Sequence, residues 1–168
     1  MTSNVRIDGP LATGRRQALT KLYDFVEPHD TCPILPFPAS NPRLGDELAE
    51  EYLPEFESTW EVDARNIVYA DEADPLDLYR TILGLDNLRR SVFAETGGSK
   101  LILSPLGSKA MALGALLAAL DRDLPVAHLE SIGYELAPTV PVEVDSPRLI
   151  HLWLEGEAYP QPRPVLPT

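Results

Sequence analysis

A chain of 168 residues, 44% hydrophobic and 24% charged, has the length and composition of one globular domain with a substantial core. Its 26 acidic against 14 basic side chains leave a net charge of −12, which opposes binding to a phosphate backbone and excludes duplex DNA or long RNA as a natural partner. No run approaches the ~18 apolar residues of a membrane span. Residues 1–16 lack the apolar core of a secretory signal, so a cytoplasmic protein is expected.

Residues 1–13 read as a flexible N-terminus. A first helix is expected over 14–26, with Ala18, Leu19, Leu22, Phe25 and Val26 at helical spacing and Pro28 as its stop. The single cysteine, Cys32, excludes an internal disulfide and opens an apolar run, where a buried structural thiol is expected. Residues 34–37 read as a short strand bracketed by prolines, which argues against a central position. Ser40-Asn41-Pro42 opens a second helix running to about Phe56, and residues 66–70 form a second strand. Asp74-Pro75-Leu76-Asp77 then caps a helix that fades near Phe93. Residues 100–103 make a third strand. The next helix has Leu113, Leu116, Leu117 and Leu120 facing a core, and Ala110, Gly114 and Ala118 as a smooth ridge for close approach. Strands at 126–130 and 149–154 follow, the last antiparallel at an edge. Strands alternating with helices mean βαβ units with right-handed crossovers. The expected fold is α/β: a three-layer, Rossmann-like, mostly parallel sheet of four or five strands flanked by helices. It fills residues 14–158, with 159–168 as a proline-rich tail.

In such a sheet, ligands bind outside the carboxyl ends of the strands. Those ends carry Ser40 and Asn41, then Asp71, Glu72 and Asp74, then the turn from Ser104 through Gly107, Ser108 and Lys109, then Glu130 and Tyr134. The third group is the best anion site. Gly107 admits close backbone approach, Ser108 caps the helix and donates a hydroxyl, and Lys109, one of three lysines with Lys21 and Lys100, adds charge. The same turn also reads as a plain strand-to-helix connection with Ser108 as its cap. The acidic turn offers Mg²⁺ or ribose contacts, although Asp74 is already used as a cap. His29, His128 and His151 show no metal-ligand spacing, and no nucleophile elbow or zinc-deaminase pattern is present. Neither a metal nor a cofactor is expected.

The segment from Ser104 to Ala112, SPLGSKAMA, is similar to the glycine-[ST]-lysine turn of CRISPR-associated Rossmann-fold (CARF) domains. The resemblance implies a homodimeric sensor in antiviral defence that binds cyclic oligoadenylate, with Gly107, Ser108 and Lys109 on the ligand's phosphates and ribose. It covers nine residues. The family's usual second glycine is Leu106 here, and neither a nuclease nor a helix-turn-helix effector domain is expected within these 168 residues.

The sequence therefore points first to a nucleotide or phosphoryl-ligand sensing domain without its own catalytic machinery. Ser40, Asn41, Glu130 and Tyr134 would complete the rim around Ser104, Gly107, Ser108 and Lys109, and a separate protein effector would read the bound state. The alternative is a protein-interaction module using the acidic surface and the proline-rich tail. A third reading is a metal-dependent hydrolase or transferase built on the acidic turn.

Overall fold

The computed structural model describes residues 4–129 and 149–153. Residues Met1–His128 form one compact unit and Leu129–Thr168 a second. The first unit holds four parallel strands: β1 (Asn4–Pro10), β2 (Asp30–Pro36), β3 (Val68–Ala70) and β4 (Ser99–Leu103), in the order β3-β2-β1-β4. Four helices connect or follow them: α1 (Arg16–Val26), α2 (Leu44–Glu51), α3 (Pro75–Val92) and α4 (Lys109–Arg122). This is the expected Rossmann-like parallel sheet flanked by helices.

Strand β1 falls within the expected flexible terminus, 1–13, yet it lies inside the sheet, between β2 and β4. Its alternation is unusual. Ile7 and Gly9 address one face, while Arg6 and Asp8 are buried on the other. Arg6 Nε donates to Asp8 Oδ1 at 2.5 Å, and Arg6 Nη1 donates to Asp30 Oδ2 at 3.2 Å on the neighbouring strand, where the two residues pair in register. Arg89 of α3 reaches the same Asp30 oxygen at 2.9 Å, and Asn66 donates to Oδ1 at 3.0 Å. The polarity that hides the strand in the sequence is neutralised by partners distant along the chain.

The prolines of β2 do not keep it at an edge, because each sits where the ladder asks for no donor. Alternate residues of a parallel strand address opposite neighbours. The Leu11 amide donates to the Ile34 carbonyl and the Phe37 amide to Ala70, so even-numbered residues face β1 and odd-numbered ones face β3. Pro33 faces β3 before the first β2–β3 pair at Ile34, and Pro36 faces β1 beyond the last pair at Ile34. Strand β2 therefore extends further than the expected 34–37 and is buried along nearly its whole length.

Helix α3 begins as its signature requires, with the Asp74 carboxylate accepting the Leu76 amide at 2.9 Å and Pro75 at the first position. Helix α2 starts at Leu44, later than Pro42, because Asn41 folds back to accept the Arg43 amide at 3.0 Å. The chain beyond α2 makes a π-helical turn, Glu55–Thr59, and packs Tyr52, Phe56 and Trp60 into an aromatic cluster beneath α1, where Tyr23 stacks on Trp60. Leu19 and Leu22 supply the buried side of α1, while Phe25, expected on that side, is exposed.

Helices α3 and α4 pack against each other on the opposite side of the sheet. Gly114 makes their approach close: a Cβ there would lie 2.3 Å from the Pro75 carbonyl oxygen. The ridge of small residues thus decides which side of α4 is inward, and the expectation that four leucines face a core is corrected. Leu117 is buried, but Leu113, Leu116 and Leu120 stand on the outer side. The expected strand at 126–130 is reduced to a single parallel bridge from Val126 to Leu103, with Glu130 outside the described residues. Residues 149–153 take no strand, and 154 lies outside the described residues, as do 159–168. Among the described residues no helix is long and apolar enough to cross a membrane.

Candidate functional site

Strand order reverses between β1 and β4, so the carboxyl ends of these strands mark the topological switch point of the sheet. Two glycines let the strand ends close on each other. A Cβ on Gly9 would meet the Ser104 carbonyl oxygen at 2.2 Å, and one on Gly107 would meet Pro10 at 2.6 Å. Gly107 is therefore needed for packing, whatever else the turn does. Ser108 caps α4, its Oγ accepting the Met111 amide at 3.2 Å and donating to the Glu72 carbonyl at 2.8 Å.

Glu72, from the turn after β3, joins two of the expected groups. Its Oε2 accepts both the backbone amide and the hydroxyl of Ser40 at 2.8 Å, while its carbonyl receives Ser108. Glu72, Gly107 and Ser108 line one crevice of about 230 Å³ with Leu11 and Thr13 of the β1–α1 loop, Pro36, Leu48 and Met111. Glu72 is the one charged side chain among these lining residues.

Of the residues expected at the site, Gly107 and Ser108 line this crevice and Ser40 reaches it through Glu72. Asn41 is spent on the turn into α2, where its amide also donates to Glu47 at 3.2 Å. Ser104 is buried and lines a separate small cavity with Thr31 and Trp60. Lys109 is exposed at the first position of α4 and is not among the lining residues. Glu130 and Tyr134 lie outside the described residues. The rest of the acidic turn is engaged locally: Asp71 accepts the Ala73 amide at 2.7 Å, and Asp74 caps α3. Among the described residues no three His, Cys, Asp or Glu side chains converge as metal ligands would.

Two features of the fold have no counterpart among the sequence expectations. One is a wide groove of about 800 Å³ along α1, lined by Gly14, Arg16, Gln17, Thr20, Lys21 and Glu55. Its Arg16 is held by Glu55, Nε to Oε1 at 2.5 Å. The strand-glycine-helix layout at Gly14-Arg15-Arg16 could have signalled it, had β1 been recognised. The other is the buried cluster around Asp8. Complete burial pushes the Asp8 carboxyl up to about 6 against the opposing pull of Arg6, and burial beside Asp8 pushes the Cys32 thiol up to about 12.

No protein-family model matches the chain, and no curated protein matches it. The fold is that of many nucleotide- and ligand-binding domains, and the chain's own residues must carry any narrower reading.

Proposed function

We propose that this domain binds a small nucleotide-like phosphoryl ligand in the crevice at the carboxyl ends of its strands and reports the bound state to a partner protein. The observation that carries the reading is the meeting of Glu72, Gly107, Ser108 and Thr13, from three different loops, in one crevice beside the reversal of strand order. The Glu72 carboxylate is the acceptor for ligand hydroxyls, the part an acidic side chain plays toward ribose in sheets of this topology. The first amides of α4 are the donors for a phosphoryl oxygen. A crevice of about 230 Å³ suits a ribose-phosphate portion of a ligand rather than a whole dinucleotide. The likeness of Gly107-Ser108-Lys109 to the CARF turn supports the same placement and makes cyclic oligoadenylate the first compound to try.

Thermal unfolding against nucleotides, cyclic oligonucleotides and sugar phosphates tests this reading. A ligand at a hundredfold excess over its Kd stabilises the folded chain by about 2.7 kcal/mol. The shift is expected to vanish in Glu72→Ala and to persist in Lys21→Ala, which alters only the groove along α1. Absence of any shift across the panel, or loss in the Lys21 variant alone, would overturn the assignment.

A second reading, an interaction module within a larger assembly, is favoured by the outer side of α4. There Leu113, Leu116 and Leu120 are 37%, 42% and 59% exposed. Substitutions on that side are expected to leave ligand-induced shifts intact.

A further inference from the structure

Five buried side-chain polar atoms have no hydrogen-bond partner among the described residues, and three of them belong to one place. Thr31 Oγ1, Ser104 Oγ and Trp60 Nε1 are on residues that line the small cavity against α1, with Ile7, Leu11 and Leu19 among its apolar walls. They arrive from three segments. Thr31 stands on β2, in register with Ile7 of β1, Ser104 follows the last residue of β4, and Trp60 ends the π-helical turn. The three residues are 7%, 1% and 4% exposed, and bulk solvent does not reach the three atoms.

A buried polar group without a partner is costly, and folded chains hold few of them. Three around one small space therefore call for a partner in common. An indole N–H only donates, while a hydroxyl both donates and accepts. The partner must accept from the indole and serve two hydroxyls at once. A water molecule does this with its two lone pairs and two hydrogens. The size agrees: about 10 Å³ of the cavity is open to the centre of a water-sized sphere. That is enough for one water, which needs ~10–15 Å³ of swept space.

We propose that this cavity is a binding site for one internal water, which accepts from Trp60 Nε1 and donates to Thr31 Oγ1 and Ser104 Oγ. Three hydrogen bonds are the usual complement of a buried water. The water joins β2, the end of β4 and the aromatic cluster beneath α1 at a single point. None of its three partners lines the crevice at Glu72, so this site stands whether or not that one binds a ligand.

The sign of one substitution separates a hydrated cavity from a dry one. Thr31→Val keeps the shape of the side chain and removes its hydroxyl. In a dry cavity that relieves an unpartnered polar group, and the melting point rises. With the water bound, the same change takes away one of its hydrogen bonds, and the melting point is expected to fall. Adding Ser104→Ala to Thr31→Val is expected to lower it by less than Ser104→Ala does alone, because the two hydroxyls hold one water.

Relaxation dispersion of water oxygen-17 in a solution of the full chain reads the bound molecule itself, since it is blind to exchanging hydroxyl protons. Wild type is expected to exceed the Thr31→Val/Ser104→Ala variant by one long-lived water. Equal dispersion in the two chains overturns the proposal, and so does a Thr31→Val chain that melts above wild type. Should the double variant fail to fold, Thr31→Val decides alone, by the direction of its melting shift.

Discussion

The same substitution at two helical glycines should move stability in opposite directions. Gly84, in α3, is exposed, and a Cβ added there meets nothing within 4 Å. Gly84→Ala gains the helix propensity of alanine, about 1 kcal/mol, with no cost in packing. Gly114, in α4, gains the same amount. Its Cβ, however, would sit 2.3 Å from the Pro75 carbonyl oxygen and 3.1 Å from the Leu78 Cβ. The first of these is backbone and cannot swing aside, so the helices must separate. Overpacking of this kind costs ~1–3 kcal/mol, and a backbone contact belongs at the upper end. The net effect for Gly114→Ala is a loss of about 2 kcal/mol, against a gain of about 1 kcal/mol for Gly84→Ala. In a chain of this size 1 kcal/mol shifts Tm by roughly 2–4 °C, so the two melting points should straddle the wild type with a gap of about 6–12 °C. Urea denaturation supplies the same comparison as free energies. If both variants move the same way, the close α3–α4 contact is not what requires a glycine at 114.

Two further outcomes follow from the buried cluster on β1. The folded-state pKa of Asp8 stands above its ordinary value of 3.8, so the folded chain holds a proton that the unfolded chain releases. Stability is therefore highest below about pH 4 as far as this group is concerned, and it falls as pH rises toward about 6, by about 3 kcal/mol when complete. Wild type measured against Asp8→Asn isolates the effect, and a stability difference that stays flat from pH 4 to pH 7 would refute it. Cys32 is fully buried with its thiol pushed up to about 12, so a thiol reagent at pH 8 should modify it only at the rate of unfolding. Complete labelling of the native chain within minutes would contradict that burial.

Legibility in the sequence tracked how local each cause was. Helix α3 could be read because its cap, its proline and its first-turn acid are neighbours along the chain, and the start of α4 was legible for the same reason at Ser108. Strand β1 was not, because Arg6 and Asp8 become tolerable in the interior only through Asp30 and Arg89, which no window around β1 contains. Pro33 and Pro36 misled in the same way, since their acceptability rests on where β1 and β3 begin and end. An apolar pattern on nearly every side of α4 left its inward face undetermined. Gly114 settled it, by allowing an approach that a leucine would have blocked. At the candidate site, the strand-to-helix turns were visible, but the side chain joining them was not. In the sequence Glu72 is one acid among several; only the fold brings Ser40 to its carboxylate and Ser108 to its carbonyl.

The central position of β1 also has a consequence for how the chain is made. Strand β1 ends at Pro10 and its second neighbour begins at Ser99, so the 88 residues 11–98 must be synthesised after β1 before that neighbour starts to exist. At 5–20 residues per second, that is roughly 5–20 s in which the outer edge of β1 stands unpaired and able to recruit any other extended strand. Arg6 and Asp8, which conceal the strand from sequence reading and weigh on the finished core, give the nascent segment two charges during that interval. The feature least suited to the interior guards the chain before an interior has formed.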